Sequence, residues 1–252
     1  MAYTVVIVED EQIMLREILQ TINWKALGLS VIGTAEDGPS ALALIENTSP
    51  DIVITDIGLP GIDGLSVLEK CNVPYAVILS GHSDFTYAKR AIKVGVFDYI
   101  LKPVDDDELE ATLKKIVNKL DDDNVEYERL RLGRPENGKI LTLPLSVDNH
   151  QIQAAILFIE ANYSKQIGLT QTADELHISE SHLSRLFKEV TGLNFLQYLN
   201  ALRINKSIEM MANPNKNITE IALACGFATP GYYAKLFRRF MGATPSQFRD
   251  LL

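Results

Sequence analysis

The sequence predicts two folded parts joined by a breaker-rich stretch: a parallel α/β sheet layered with helices over residues 1–120, and an all-α unit over 149–252. Three observations predict this. Five short Val- and Ile-rich runs recur in the first half with helical spacings between them. In the second half "LSRLFKEVTG" at 183–192 and "YAKLFRRFMG" at 233–242 align residue for residue at an offset of 50. Finally, 252 residues are many for one core and natural for two.

The totals narrow the class. An apolar fraction of 46% with mixed charge suits a globular protein, and no apolar run approaches the ~18 residues of a membrane span. The N-terminal "MAYTVVIVEDE" has a short apolar stretch, no basic region before it and acids after it, so a cytoplasmic protein without membrane partners is expected. Cys71 and Cys225 lack CxxC spacing and read as packed thiols. His82, His150, His177 and His182 do not recur at i, i+4, so no zinc site is expected. The net charge of −9 divides unevenly, at roughly −8 for 1–120, −3 for 121–150 and +2 for 151–252. An acidic first module and a second one better suited to a polyanion follow.

The first part reads as five strands in order: "YTVVIVED", "LSVIGTA", "DIVITDI", "YAVILSG" and "FDYILKP". Their apolar residues are continuous rather than alternating, as in a sheet covered on both faces. Between them lie helical spacings such as Ile13, Ile18 and Ile22, or Leu42, Leu44 and Ile45. Right-handed crossovers then bring all strand C-termini to one edge, where open α/β sheets bind ligands. The first strand ends in Glu9 and Asp10, the third in Asp56, the fourth in Ser80, and the fifth in Lys102 followed by Pro103.

Any one of these has a bland reading, as a helix N-cap or a solvated lysine. Together they suit phosphoryl transfer onto Asp56. Clustered carboxylates repel unless a hard cation such as Mg²⁺ sits among them. Lys102 and Ser80 can each meet a phosphoryl oxygen, and Gly58 and Gly61 are expected to let backbone approach closely.

The set Glu9–Asp10, Asp56, Ser80 and Lys102–Pro103 resembles the receiver domain of two-component response regulators, over the whole of residues 1–120. The resemblance implies a flavodoxin-like (βα)₅ fold phosphorylated on Asp56 by a sensor histidine kinase. It implies Mg²⁺ held by Asp10, Asp56 and the Gly58 carbonyl with Glu9 assisting, and a Lys102–Pro103 peptide that is often cis. Tyr99 matches the family's switch aromatic, expected to swing as Ser80 moves toward the phosphoryl group. Gly58 and His82 occupy the places that tune how fast water reaches the acyl phosphate. Such a domain catalyses only its own phosphorylation and dephosphorylation. A haloacid-dehalogenase-type phosphatase would need a second acid two residues after the nucleophile, where this chain has Gly58.

Residues 121–148 read as a linker. The apolar positions Leu109, Leu113, Ile116, Leu120, Tyr127 and Leu130 leave a short coiled-coil extension open, whereas Asp121–Asp122–Asp123 favours a loose acidic tether. Gly133, Pro135, Gly138 and Pro144 then break any helix.

In the second part each copy of the repeat is two short helices and a turn. The first copy has a helix over Leu169–Leu176, a turn through His177 and Ile178, and Ser179 as N-cap of the next helix, with Leu183, Leu186 and Phe187 inward. The second has Ile218–Cys225, a turn at Gly226–Phe227 and a helix from Pro230 to Phe240. Between them Phe195–Met211 forms a helix of about 25 Å. With its flanking turns it would set two reading helices about one DNA turn, ~34 Å, apart.

The pairing, with "CGFATPGYYAKLFRRFMGATPSQFR" at the end, is similar to the AraC/XylS-family DNA-binding domain over 152–252, and the combination with a receiver resembles the YesN-like regulators. The first reading helix offers Glu180, Ser181, His182, Ser184 and Arg185 to base edges, with Lys188 nearer phosphate. The second offers Thr229, Gly231, Tyr232 and Lys235, with Arg238 and Arg239 toward phosphates. The implied partners are a histidine kinase, double-stranded DNA, a second copy of the chain on activation, and RNA polymerase. The alternative is an AraC-type regulator whose receiver serves dimerisation without phosphate.

Overall fold

The computed structural model describes residues 2–71, 73–81, 85–133 and 141–250. The chain divides into two compact units, Met1–Asp121 and Asp122–Leu252. In the first, strands β1 (Tyr3–Val8), β2 (Leu29–Ala35), β3 (Ile52–Asp56), β4 (Tyr75–Ser80) and β5 (Asp98–Leu101) alternate with helices α1 (Gln12–Thr21), α2 (Gly38–Thr48), α3 (Gly64–Lys70) and α4 (Phe85–Val94). Helix α5 (Asp106–Leu132) follows, and the division between the units falls within it. Among the described residues the strands form one sheet in the order β2-β1-β3-β4-β5, every pair parallel.

The period of two along each strand feeds two cores. Val5 and Ile7 of β1 join Ile52, Ile54, Val77 and Leu79 on the face covered by Leu15 and Ile18 of α1 and Leu109, Leu113 and Ile116 of α5. Val6 and Val8 join Val53 and Ile78 on the opposite face, with Ala41 and Ile45 of α2 and Leu65 and Leu68 of α3. Both faces are dry, and this is why the runs show no alternation of polarity. The flavodoxin-like (βα)₅ expectation for this half is met.

The second unit is all helical: α6 (His150–Asn162), α7 (Leu169–Glu175), α8 (Glu180–Thr191), α9 (Phe195–Met211), α10 (Ile218–Ala224), α11 (Pro230–Met241) and α12 (Pro245–Arg249). Helices α7–α8 and α10–α11 are the two expected helix-turn-helix copies. Ser179 caps α8 by accepting the His182 N–H, and Thr229 caps α11 by accepting the Tyr232 N–H. Helix α9 spans the predicted Phe195–Met211 and buries residues around its whole circumference, because both copies pack against it.

The stretch read as a linker behaves differently from a tether. It is helical to Leu132, and Tyr127, Leu130 and Leu141 lie in the second unit's core. The apolar positions that could have formed a coiled-coil seam are consumed within the chain: Leu109 to Leu120 in the first unit and Tyr127 and Leu130 in the second. No helix among the described residues is long and apolar enough to cross a membrane.

Candidate functional site

Parallel register gathers the predicted rim. Val8 pairs with Thr55, Asp56 with Leu79 and Ser80 with Leu101, so β1, β3, β4 and β5 end level with one another. Glu9 and Ser80 are buried and Asp56 nearly so, while Asp10 points to solvent. The Lys102 ammonium reaches across the edge, 2.9 Å from Glu9 Oε1 and 2.9 Å from Asp56 Oδ2. The Gly58 N–H donates to Asp56 Oδ1 at 3.2 Å, and the Glu11 N–H to Glu9 Oε1 at 3.3 Å. The Lys102–Pro103 peptide is cis.

The electrostatics are lopsided. Burial drives the Glu9 carboxyl above its ordinary value despite the pull of Lys102. Burial also works against the charged Lys102, but its hydrogen bonds and attraction to Asp56 and Glu9 outweigh that and raise it. Three acids therefore face one ammonium. Among the described residues Glu9 Oε2 is buried with no hydrogen-bond partner. Oxygens of Glu9, Asp10 and Asp56 lie within 4.8 Å of one another, a cluster able to hold a metal ion. A buried acceptor left over beside an excess of carboxylate oxygens fits a hard divalent cation such as Mg²⁺, so these residues suit the ion the resemblance implies.

One local expectation needs correction. Of Gly58 and Gly61 only the second makes a close approach, at φ +80° with a Cβ 3.2 Å from Pro39 Cδ, whereas a Cβ on Gly58 would meet nothing nearer than Asp56 Oδ2 at 3.8 Å. The tight contact is at Gly64, where a Cβ would stand 2.0 Å from the Asp56 carbonyl oxygen. Glycine at this position lets α3 begin directly behind the strand that ends in Asp56. Tyr99 sits half-buried in β5, paired with Ile78 and packed on the α2–α3 side of the sheet. His82 lies outside the described residues.

On the second unit, Glu180, Ser181, Ser184, Arg185 and Lys188 of α8 are exposed, as a reading face requires. His182 is half-buried, with Nε2 3.3 Å from Gln151 Oε1. On α11, Gly231 and Arg238 are exposed, and Thr229, Lys235 and Arg239 are partly so. Tyr232 departs from its expected role. It is 4% exposed, because it shares an i, i+4, i+8 stripe with Leu236 and Phe240 and turns into the core. Its counterpart at the same place in the first copy is His182, also drawn inward.

Arg203, which the sequence reading did not single out, and Gly226, expected there as the turn residue, organise the second copy. Arg203 of α9 is 2% exposed; its Nε and Nη2 donate to the carbonyl oxygens of Tyr163 and Lys165, both at 2.8 Å, and its guanidinium lies 5.7 Å from the Phe227 ring centre. Gly226, at φ +83°, presses the turn against the same loop, where a Cβ would stand 2.5 Å from the Tyr163 carbonyl oxygen.

Comparison with known proteins agrees with this division. A family model described as the response regulator receiver domain matches residues 5–114, and one described as a helix-turn-helix domain matches 172–250. An uncharacterized response regulatory protein of Staphylococcus epidermidis is 32% identical over 261 residues, covering 99% of each chain. The transcriptional regulatory protein HptR of Staphylococcus aureus is 32% identical over 251 residues, covering 98% of each. Among solved structures, the REC domain of AraT, a response regulator from Geobacillus stearothermophilus, is 32% identical with a TM-score of 0.46, covering 48% of this chain and 98% of that one.

Proposed function

The chain belongs to the response regulators that join a receiver domain to an AraC-type helix-turn-helix domain and act on transcription, and from that premise we propose that Asp56 is its phosphoacceptor and α8 and α11 its DNA readers. The observation that carries this reading is the Lys102 ammonium held 2.9 Å from both Glu9 and Asp56 beside an unpartnered buried carboxylate oxygen. Such an arrangement is costly for a merely structural site, which would close its valences. It is well suited to receiving a further group.

In this reading a carboxylate oxygen of Asp56 bonds to the phosphorus of the kinase's phosphohistidine as the P–N bond breaks, the electron pair staying with the imidazole. Asp10, Asp56 and the Gly58 carbonyl would hold Mg²⁺, assisted by Glu9; when bound it supplies neutralising charge for the phosphoryl oxygens. Lys102 trades its Asp56 contact for a phosphoryl oxygen, and the Ser80 hydroxyl donates to another. Phosphorylation adds about −1.5 to −2 charges at Asp56. The Ser80 movement opens space for Tyr99, which alters the face made by α4, β5 and α5.

DNA contact is assigned to Glu180, Ser181, His182, Ser184, Arg185 and Lys188 of α8 and to Thr229, Gly231, Lys235, Arg238 and Arg239 at α11, with Tyr232 withdrawn. A net charge of roughly +2 over 151–252 allows few phosphate contacts, so one copy binds weakly. Phosphorylation then acts by pairing two copies, turning two weak contacts into one strong one. The test is affinity for a duplex selected from random DNA, with particle mass, before and after acetyl phosphate and Mg²⁺. Tighter binding together with doubled mass supports the reading; equal affinity and an unchanged monomer would contradict it.

A further inference from the structure

The stretch of α5 that the sequence suggested as a tether touches α8, α9 and α11. Asp123 Oδ1 accepts from Gln197 Nε2 at 2.7 Å and from Asn194 Nδ2 at 3.3 Å. Those two residues form the capping box that starts α9, the helix between the two copies. One helical turn later Tyr127 is buried with its ring 4.5 Å from that of Phe240 in α11.

The next two contacts are symmetric. A Cβ on Gly192 would stand 3.2 Å from Arg129 Nη2, and a Cβ on Gly242 would stand 3.2 Å from Arg131 Nη1. Gly192 is the C-cap of α8 and Gly242 the C-cap of α11. They are the equivalent positions of the two copies. Residues two apart on a helix diverge by roughly 200°, and the divergence here carries one guanidinium to each reading helix. Each lies at the end where unpaired carbonyls concentrate negative charge, and where a cation is favoured. Arg129 pairs through Nε and Nη2 with Glu126, and Arg131 Nη2 with Glu128 at 2.7 Å.

We propose that residues 123–131 of α5 are positioning residues of the DNA reader: Asp123 fixes the start of α9, Tyr127 packs on α11, and Arg129 and Arg131 hold the C-terminal ends of α8 and α11 so that both enter a duplex at one spacing. This rests on the reading of α8 and α11 as DNA readers. It gives the two arginines a role distinct from phosphate contact, since they act at the ends opposite the helix N-termini that lead into the groove.

The test uses the full-length chain as wild type, as Arg129→Gln with Arg131→Gln, and as the corresponding double lysine variant. Each is measured on a selected two-site duplex and on duplexes with base pairs inserted between the sites, over a range of salt, beside thermal melting. The glutamine pair is expected to lose about threefold in affinity, two helix-end charges at the lower part of their usual range. It should also lose most of the preference for native spacing, with an unchanged salt slope. The lysine pair should recover most of the affinity. A lower melting temperature with affinity and spacing preference intact would overturn the proposal in favour of plain packing. A salt slope reduced by about one per arginine would overturn it in favour of phosphate contact. Failure of the wild type to bind any selected duplex is a separate result, and would remove the DNA-reading assignment itself.

Discussion

Each unit buries a cationic side chain, and the two are treated in opposite ways. Lys102 lies between two carboxylates within a group of three acids, and one Glu9 oxygen beside it has no partner among the described residues. Arg203 pairs instead with two backbone carbonyls, which take its N–H groups, and an aromatic face covers it. Burial lowers the Arg203 guanidinium to about 10, which leaves it charged at neutral pH. A buried charge therefore does not mark a functional site by itself. The Arg203 cluster is closed and holds the 163–165 loop to the second helix-turn-helix; the Lys102 cluster is open, with negative charge in excess.

If that contrast is right, substitutions around Arg203 should cost stability and be indifferent to Mg²⁺. The largest effect is expected for Gly226→Ala, which puts a Cβ 2.5 Å from a backbone oxygen at a left-handed φ; strain and overpacking together should cost about 3 kcal/mol or more. Arg203→Met should follow at about 2–3 kcal/mol, because two carbonyls lose their donors. Trp24 is the chain's one tryptophan and packs in the first unit. Both variants should thus shift denaturant unfolding followed by circular dichroism and leave the Trp24 fluorescence transition in place. A Mg²⁺ dependence of either shift would break the comparison.

The smallest effect sharpens it from the other side. Glu9→Gln removes one of the crowded acids while its remaining oxygen can still accept from Lys102 and the Glu11 N–H. In chelator this variant should be more stable than wild type by about 1 kcal/mol. In Mg²⁺ the order should reverse, since the ion stabilises wild type more. Melting temperatures of both proteins in chelator and in Mg²⁺ check this; a variant that gains as much from Mg²⁺ as wild type would show that Glu9 takes no part in the site.

The rim was legible in the sequence because an apolar strand ending in a charge must put that charge at an edge, and parallel topology makes the edge common to all strands. Gly64 was not legible, because its close approach to Asp56 exists only once α3 folds behind β3. The exposed faces of α8 and α11 followed from the repeat and its spacing. Tyr232 misled because a tyrosine suits a wet face and a core equally well; its inward turn is decided by the stripe it shares with Leu236 and Phe240. The acidic run at 121–123 suggested a break through like-charge repulsion. In the folded chain Asp121 accepts from the Tyr3 hydroxyl at 2.6 Å and Asp123 from Asn194 and Gln197, so individual partners override the repulsion and the helix continues.

The open cluster is expected to take a phosphoryl group onto one carboxylate, that of Asp56. Intact-protein mass spectrometry after incubation with acetyl phosphate and Mg²⁺ tests it most directly, comparing wild type with Asp56→Asn. A single phosphoryl adduct is expected on wild type, lost in chelator and absent from the variant. An unmodified wild type, or an equal adduct on the variant, would contradict it.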